Sequence, residues 1–200
     1  MSRAAQKTAR PKTKRGIERR NQILRAAEEV IAEQGFPASS IADITRRAGT
    51  ALGTFYIYFG SKEEVFRELV LEMGRLTRAM VAEQTGTAPN RLEAERIGLR
   101  AFLTHVRDHP ALYRIVEEAR FVDPEAYRDY FTGFAGAYIR QLTAAAEEGE
   151  ISPGDAEVRA WALMGMAKTL GERFVLWEEA PDIDRVVDEA FAMIAGGLQP

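Results

Sequence analysis

Two hundred residues with 46% hydrophobic and 28% charged side chains form an ordinary globular composition, which excludes a disordered or fibrous chain and allows one compact unit or a small module joined to a larger one. There is no cysteine, so disulfides, thiolate metal sites and cysteine nucleophiles are excluded, and a reducing compartment fits. The net charge of -3 hides a division: Met1 to Lys62 carries 12 Lys/Arg against 5 Asp/Glu, a net +7, and the remainder carries 15 against 25, a net -10. A basic head on an acidic body suits a polyanion-binding protein, and equally a merely solvated tail.

The basic start, MSRAAQKTARPKTKRGIERR, has no apolar segment behind it that would make it an export signal, and no apolar run is long enough to span a bilayer. Apolar residues recur at three- and four-residue spacing without sustained alternation, so the expected class is all-α. Residues 1–15 read as a flexible basic arm. Helix one is expected over 16–34, with Ile23, Leu24, Ala27, Val30 and Ile31 on one face and Gly35 as a left-handed C-cap. Ser40 and Asp43 stand at capping-box spacing and open helix two, which Gly49 ends.

The next stretch, AGTALGTFYIYFGSKEE, starts a two-turn helix three. Phe55 and Phe59 are four apart and share its inner face, leaving Leu52, Gly53, Thr54, Ile57 and Tyr58 toward the outside or flanks and Tyr56 at the boundary. Ser61 and Glu64 repeat the capping spacing and begin a connecting helix over 61–83, about 34 Å long. Two short helices around a glycine turn form a helix-turn-helix, here within a head at 16–60 whose second motif helix would enter a major groove. Lys62, beside free N–H groups in the first turn of helix four, suits a backbone phosphate; the alternative is a small helical core with an exposed lysine.

QTGTAPN, 84–90, ends the connecting helix. Five more helices are expected at about 91–108, 111–121, 125–148, 155–178 and 183–196, divided by His109-Pro110, Asp123-Pro124, Ser152-Pro153-Gly154 and Pro181-Asp182. That makes nine, in a three-helix head and a larger helical body over 61–200.

GFPASSIADITRRAGTALGTFYIYFGSKEEVF, from Gly35 to Phe66, resembles the DNA-binding signature of the tetracycline-repressor (TetR) family of bacterial transcription regulators, most specifically in Ala48-Gly49, Gly53-Thr54, Tyr56, Phe59 and Ser61-Lys62-Glu63. The resemblance implies a cytoplasmic bacterial regulator of transcription in which Thr54, Tyr56 and Tyr58 contact phosphates or base edges. Leu52, Gly53 and Ile57 would face the groove floor, and Ser40 and Lys62 would bind phosphate. The family often has Ser where this chain has Ala51, so the cap of helix three falls to Thr50. Helix three also lacks Arg, Asn and Gln, so specificity rests on thymine methyls, DNA shape or the arm, where Arg10, Lys12, Lys14 and Arg15 would follow the minor groove or backbone.

In the body, Ile183, Val186, Val187, Ala190, Phe191 and Ile194 form one stripe, and the preceding helix is apolar most of the way round, so a second subunit is its natural cover. The resemblance implies a homodimer joined through the last two helices, with Leu163, Ala167, Leu170, Phe174, Val187, Phe191 and Ile194 at the interface. Tyr127, Phe131, Phe134 and Tyr138 lie on an aromatic stripe; Gly98, Ala101 and His105 lie on one of mostly small side chains. With Phe102 and Trp161 these would line an effector pocket, against plain core packing as the alternative. Lys168 would meet an acidic group of the ligand or pair with Glu172 at i,i+4. The resemblance and the apolar lining imply a small hydrophobic effector: an acyl or aromatic carboxylate, or its thioester.

HVRDH puts His105 and His109 four apart on a helix, as in some zinc sites, but without the following Glu and without a further His or Cys anywhere. No phosphate-cradling loop and no nucleophile-histidine-acid frame is present. The reading is therefore a non-enzymatic, cofactor-free, sequence-specific regulator: a ligand-released repressor whose partners are a palindromic DNA operator, a second copy of itself and an effector, with no membrane. Its rivals are an architectural protein that coats DNA through the arm, and an enzyme built on the histidine pair.

Overall fold

The computed structural model describes Pro11 and residues 13–199. Among these the chain forms nine α-helices and no strand, as the periodicity implied: α1 Lys14–Ala38, α2 Ile41–Arg47, α3 Leu52–Tyr58, α4 Lys62–Thr85, α5 Arg91–Asp108, α6 Pro110–Val122, α7 Pro124–Glu147, α8 Ala156–Gly171 and α9 Ile183–Leu198, with a π-helical turn over Glu172–Leu176. None of these helices is long and apolar enough to cross a membrane.

Local chemistry sets most boundaries. Thr13 Oγ1 accepts from the Gly16 N–H at 3.2 Å, so α1 begins two residues earlier than expected. Lys14 and Arg15 therefore belong to its first turn, whereas Arg10 and Lys12 lie outside the described residues. Gly35 takes φ 76°, a conformation that side chains disfavour, and breaks the helix before a last turn containing Pro37. Side-chain caps open α2 (Ser40), α5 (Asn90), α8 (Asp155) and α9 (Asp182). The helix expected over 155–178 stops being α at Gly171 and continues as the π-helical turn.

The described chain gathers into two compact units. One holds the residues up to Met73 together with Ala111–Arg128; the other holds Gly74–Pro110 and the residues from Asp129 onward. α4 and α7 each continue from one unit into the other. The first unit is cored by Ile23, Ala27, Ile44, Phe55, Phe59, Val65, Phe66, Val70, Ile115 and Ala119, all at most 1% exposed. In the second, α5 is the central element and packs on both α8 and α9.

That packing corrects part of the expected dimer face. Val187 and Ile194 are buried within their own chain, because the stripe of α9 that carries them is the inner one, and they are not available to a second subunit. Leu163, Ala167, Leu170, Phe174 and Phe191 are half-buried. The open face of α9 instead shows Ala192, Met193 (71% exposed), Gly196 and Gly197, and that of α8 shows Val158, Trp161, Ala162, Gly165 and Thr169.

One polar group sits deep in the second unit. Glu95 is 4% exposed, accepts a hydrogen bond from the Tyr138 hydroxyl, and has the Arg91 Nε 2.8 Å away. Burial pushes its carboxyl above the usual carboxylate range, against the opposing pull of Arg91. Because the folded state holds this proton to higher pH than the unfolded chain does, its contribution to stability is present below pH 4.5 and is lost as pH rises through the raised value. We predict that the melting temperature of Glu95→Gln relative to the parent rises between pH 4.5 and pH 7.5, as thermal melts by circular dichroism would record; a difference constant with pH would contradict this.

Candidate nucleic-acid interface

The turn between α2 and α3 is made by Gly49 at φ 58°, with the Thr50 N–H bonded to the Thr45 carbonyl at 3.0 Å. Gln22 of α1 donates to the Ala48 carbonyl at 2.8 Å and ties this turn to the first helix. The N-cap of α3 is Ala51, with no side-chain hydrogen bond. The expected Thr50 cap is therefore not formed, since Thr50 stands one residue too far upstream. What holds α3 is its inner face: Phe55 and Phe59 are fully buried with rings 5.7 Å apart. The Arg20 guanidinium lies 4.9 Å over the Phe59 ring while pairing with Glu68 at 2.7 Å.

The opposite face is open. Leu52 and Tyr56 are each 51% exposed, Ile57 is 65% exposed, and Gly53 is exposed. Thr54 and Tyr58 are half-buried. The two tyrosines thus exchange the places expected of them: Tyr56 stands out from the helix, and Tyr58 is the boundary residue, its phenol leaning toward α1 at Gly16. A Cβ built on Gly53 would meet nothing within 4 Å, and its φ is ordinary. Nothing among the described residues requires glycine there.

Ser40 caps α2 through the Asp43 N–H at 3.1 Å and donates its hydroxyl to the Asp43 carboxylate at 2.5 Å. That bond, together with Arg46, holds the Asp43 carboxyl below its usual range. Lys62 is more heavily committed than its sequence position implied. Its Nζ donates to the carbonyls of Phe36 and Ser39, both at 2.7 Å, and sits 4.1 Å over the Phe36 ring. Two of the three ammonium donors are thereby used in closing the end of α1. The same Phe36 receives a second clamp: its N–H donates to both carboxylate oxygens of Glu118 on α6, at 2.9 and 3.0 Å. Arg67 on α4 similarly grips Asp123 at 2.8 Å and Glu125 at 2.7 Å. Sequence reasoning missed Glu118 and Arg67, since no local signal links residues 82 and 56 positions apart.

The residues expected to line an effector pocket divide between the units. Tyr127 falls in the first; Gly98, Ala101, Phe102, His105, Phe131, Phe134, Tyr138, Trp161 and Lys168 fall in the second. A Cβ on Gly98 would meet Thr85 and Val81 of α4, so this small residue faces α4 and not the aromatic stripe of α7. Phe102 lies against Gly171, Ala101 is half-buried and Trp161 is exposed at the surface. On α7, Tyr130 packs on Phe131 and Phe134 at 5.0 and 5.2 Å, and Lys168 Nζ is 5.7 Å from the Phe131 ring centre. A cleft of about 290 Å³ does open in this unit, between Arg100, Thr104 and Arg107 of α5 and Pro181–Asp184. It is polar and bridged by the Arg100–Asp184 ion pair.

His105 Nε2 faces Thr77 Oγ1 at 3.3 Å and its ring lies 4.7 Å from that of His109. Burial, reinforced by His109, holds the His105 pKa below the usual imidazole value. Among the described residues no three His, Asp or Glu side chains converge as a metal site would need.

Residues 23–69 match the family described as bacterial regulatory proteins, tetR family. Over 174 residues the chain is 28% identical to an uncharacterized HTH-type transcriptional regulator, YdgC, of Bacillus subtilis, a match covering 81% of this chain and 84% of that one. It is 25% identical over 182 residues to the fatty acid metabolism regulator protein of B. subtilis, covering 88% and 94%. Among solved structures, the transcriptional regulator FadR from B. subtilis in complex with stearoyl-CoA aligns with a TM-score of 0.78 at 24% identity, covering 88% of this chain and 98% of that one, which is a likeness of fold. These relatives are all named as regulators.

Two outcomes follow from the geometry. Gly53→Ala should leave the melting temperature of the free protein unchanged or raise it, since alanine gains about 0.5–1 kcal/mol inside a helix. The same variant should weaken DNA binding by about tenfold or more in fluorescence anisotropy, as an added methyl overpacks a close approach; unchanged affinity would show that α3 does not approach DNA at this position. Glu118→Ala strands the Phe36 N–H and should cost about 1–3 kcal/mol in urea unfolding of the free protein, and an unaltered midpoint would count against the clamp.

Proposed function

We propose that this chain, which belongs to the tetR family of bacterial regulatory proteins, is a repressor that holds a palindromic operator as a homodimer in the bacterial cytoplasm and is released by a hydrophobic small molecule. The observation that carries the reading is α3, whose two buried rings fix a helix with an otherwise open outer face. A helix presented in this way fits a major groove about 12 Å wide. Leu52, Gly53 and Ile57 take the groove floor. The hydroxyls of Ser40, Thr50, Thr54, Tyr56 and Tyr58 and the remaining N–H of Lys62 take phosphates or base edges, and Lys14 and Arg15 add charge at the start of α1.

The open faces of α8 and α9 supply the dimer contact. Their exposed Val158, Trp161 and Met193 are apolar, and Ala162, Gly165, Gly196 and Gly197 are small enough for close helix approach against the same face of a second copy. Two copies of α3 would then stand about 34–36 Å apart, one turn of DNA. For the effector, an acyl thioester is favoured by the fatty acid regulator among the relatives and by the stearoyl-CoA held by FadR, with the aromatic stripe of α7 and Lys168 as the side chains suited to it. Such a ligand releases the operator only by binding the DNA-incompetent spacing of the heads more tightly than the DNA-bound spacing.

The test is competition at fixed salt between a palindromic fragment selected from the host genome and bulk DNA, followed by titration of the specific complex with stearoyl-CoA or with coenzyme A alone. The expected results are a preference of about 10³ or more for the fragment and release by stearoyl-CoA only. Equal binding to both DNAs would favour an architectural protein, and retention of the operator under stearoyl-CoA would reject the acyl thioester.

A further inference from the structure

We propose that the operator is read chiefly through the C5 methyl groups of thymine, which pack against Ile57 and Leu52; this rests on the operator-binding reading above. The seven residues of α3, LGTFYIY, include no amide, guanidinium, ammonium or carboxylate. The outward groups form two rows at i,i+4 spacing, Gly53 with Ile57 and Leu52 with Tyr56. The nearest guanidinium groups in the motif are already engaged, Arg46 with Asp43 and Arg47 with both Glu29 and Glu33. Hydrogen bonding to bases from this helix therefore falls to the hydroxyls of Thr54, Tyr56 and Tyr58, and a hydroxyl serves as donor or acceptor and discriminates bases weakly.

Apolar contact is what remains, and the major groove offers one apolar group on its base edges, the thymine methyl. Ile57 and Leu52 are two of the most exposed aliphatic side chains of the first unit, and the vacant Cβ position of Gly53 lets the helix axis come close enough to seat Ile57 on the base edges. Against cytosine or a purine edge, the same side chains would bury apolar surface on polar atoms.

The test takes the fragment that the full-length protein selects from a random duplex pool and resynthesises it with deoxyuridine for individual thymines, which removes the methyl and leaves base pairing intact. Each half-site is expected to contain thymines at the steps facing α3. Losing each such methyl should weaken binding by about fourfold, the value of one buried methyl group, while deoxyuridine elsewhere changes nothing. In Ile57→Ala and Leu52→Ala, which alter exposed positions and leave the fold intact, the deoxyuridine penalty at the corresponding thymine should vanish. A selected fragment that binds equally well with deoxyuridine, or a penalty that persists in both variants, overturns the methyl reading and leaves operator binding standing. Failure to select any fragment overturns both.

Discussion

A seven-residue helix has too few internal hydrogen bonds to hold itself in water, so α3 exists only because Phe55 and Phe59 anchor it in the first unit. Each ring is fully buried, and four-residue spacing puts both on one face. The absence of a side-chain cap at Ala51 makes this dependence stronger, since capping commonly contributes about 1 kcal/mol. The outer face is thereby freed of structural duty. Gly53, Tyr56 and Ile57 are positioned by residues they do not themselves resemble, and their identities answer to whatever lies outside the protein.

Around this anchor the head is braced at a single residue. Phe36 follows the break at Gly35, where α1 has lost its own hydrogen-bond partners. Its N–H goes to Glu118 on α6 and its carbonyl to Lys62 on α4, while its ring packs 4.8 Å from that of Phe66. Charge-assisted hydrogen bonds of this kind are among the stronger ones available. Three helices thus share one residue, and α6 shifted relative to α1 would break a bond to Phe36 or carry the end of α1 along. Lys62 in consequence has a structural duty that precedes any contact with phosphate.

The fold was legible wherever it follows from period and punctuation. The 3.6-residue pattern, the capping serine at 40 and the glycine at 49 mark boundaries within a residue or two, and Gly35 marks the break in α1 three residues before its end. The inner face of α3 was legible for the same reason, because Phe55 and Phe59 are locally encoded. Local spacing could not tell Tyr56 from Tyr58, since both flank the buried face and it is Tyr58 that lies beside Gly16 on another helix. Nor could it find Glu118, or reveal that Val187 and Ile194 turn inward, because an apolar stripe looks alike whether α5 or a second subunit covers it. The pocket residues were the least legible: Gly98 meets α4 and not the aromatic rings of α7, a pairing that depends on how the helices cross.

Under the operator reading proposed above, an α3 without charged or amide readers also bears on how much discrimination one head can supply. Two thymine methyls per half-site, at about fourfold each, give about sixteenfold, and a dimer squares this to about 250-fold. Specific DNA binding commonly requires about 10³ or more over non-specific sites. Methyl contacts from one head are therefore insufficient by a wide margin, and from two heads still short. The remaining factor has to come from groups that sense the duplex without touching base edges, through its groove width and ease of bending. The basic segment that precedes α3 in the chain is suited to that task, because phosphate contacts add affinity to every sequence and add specificity only where the DNA shape brings the phosphates within reach.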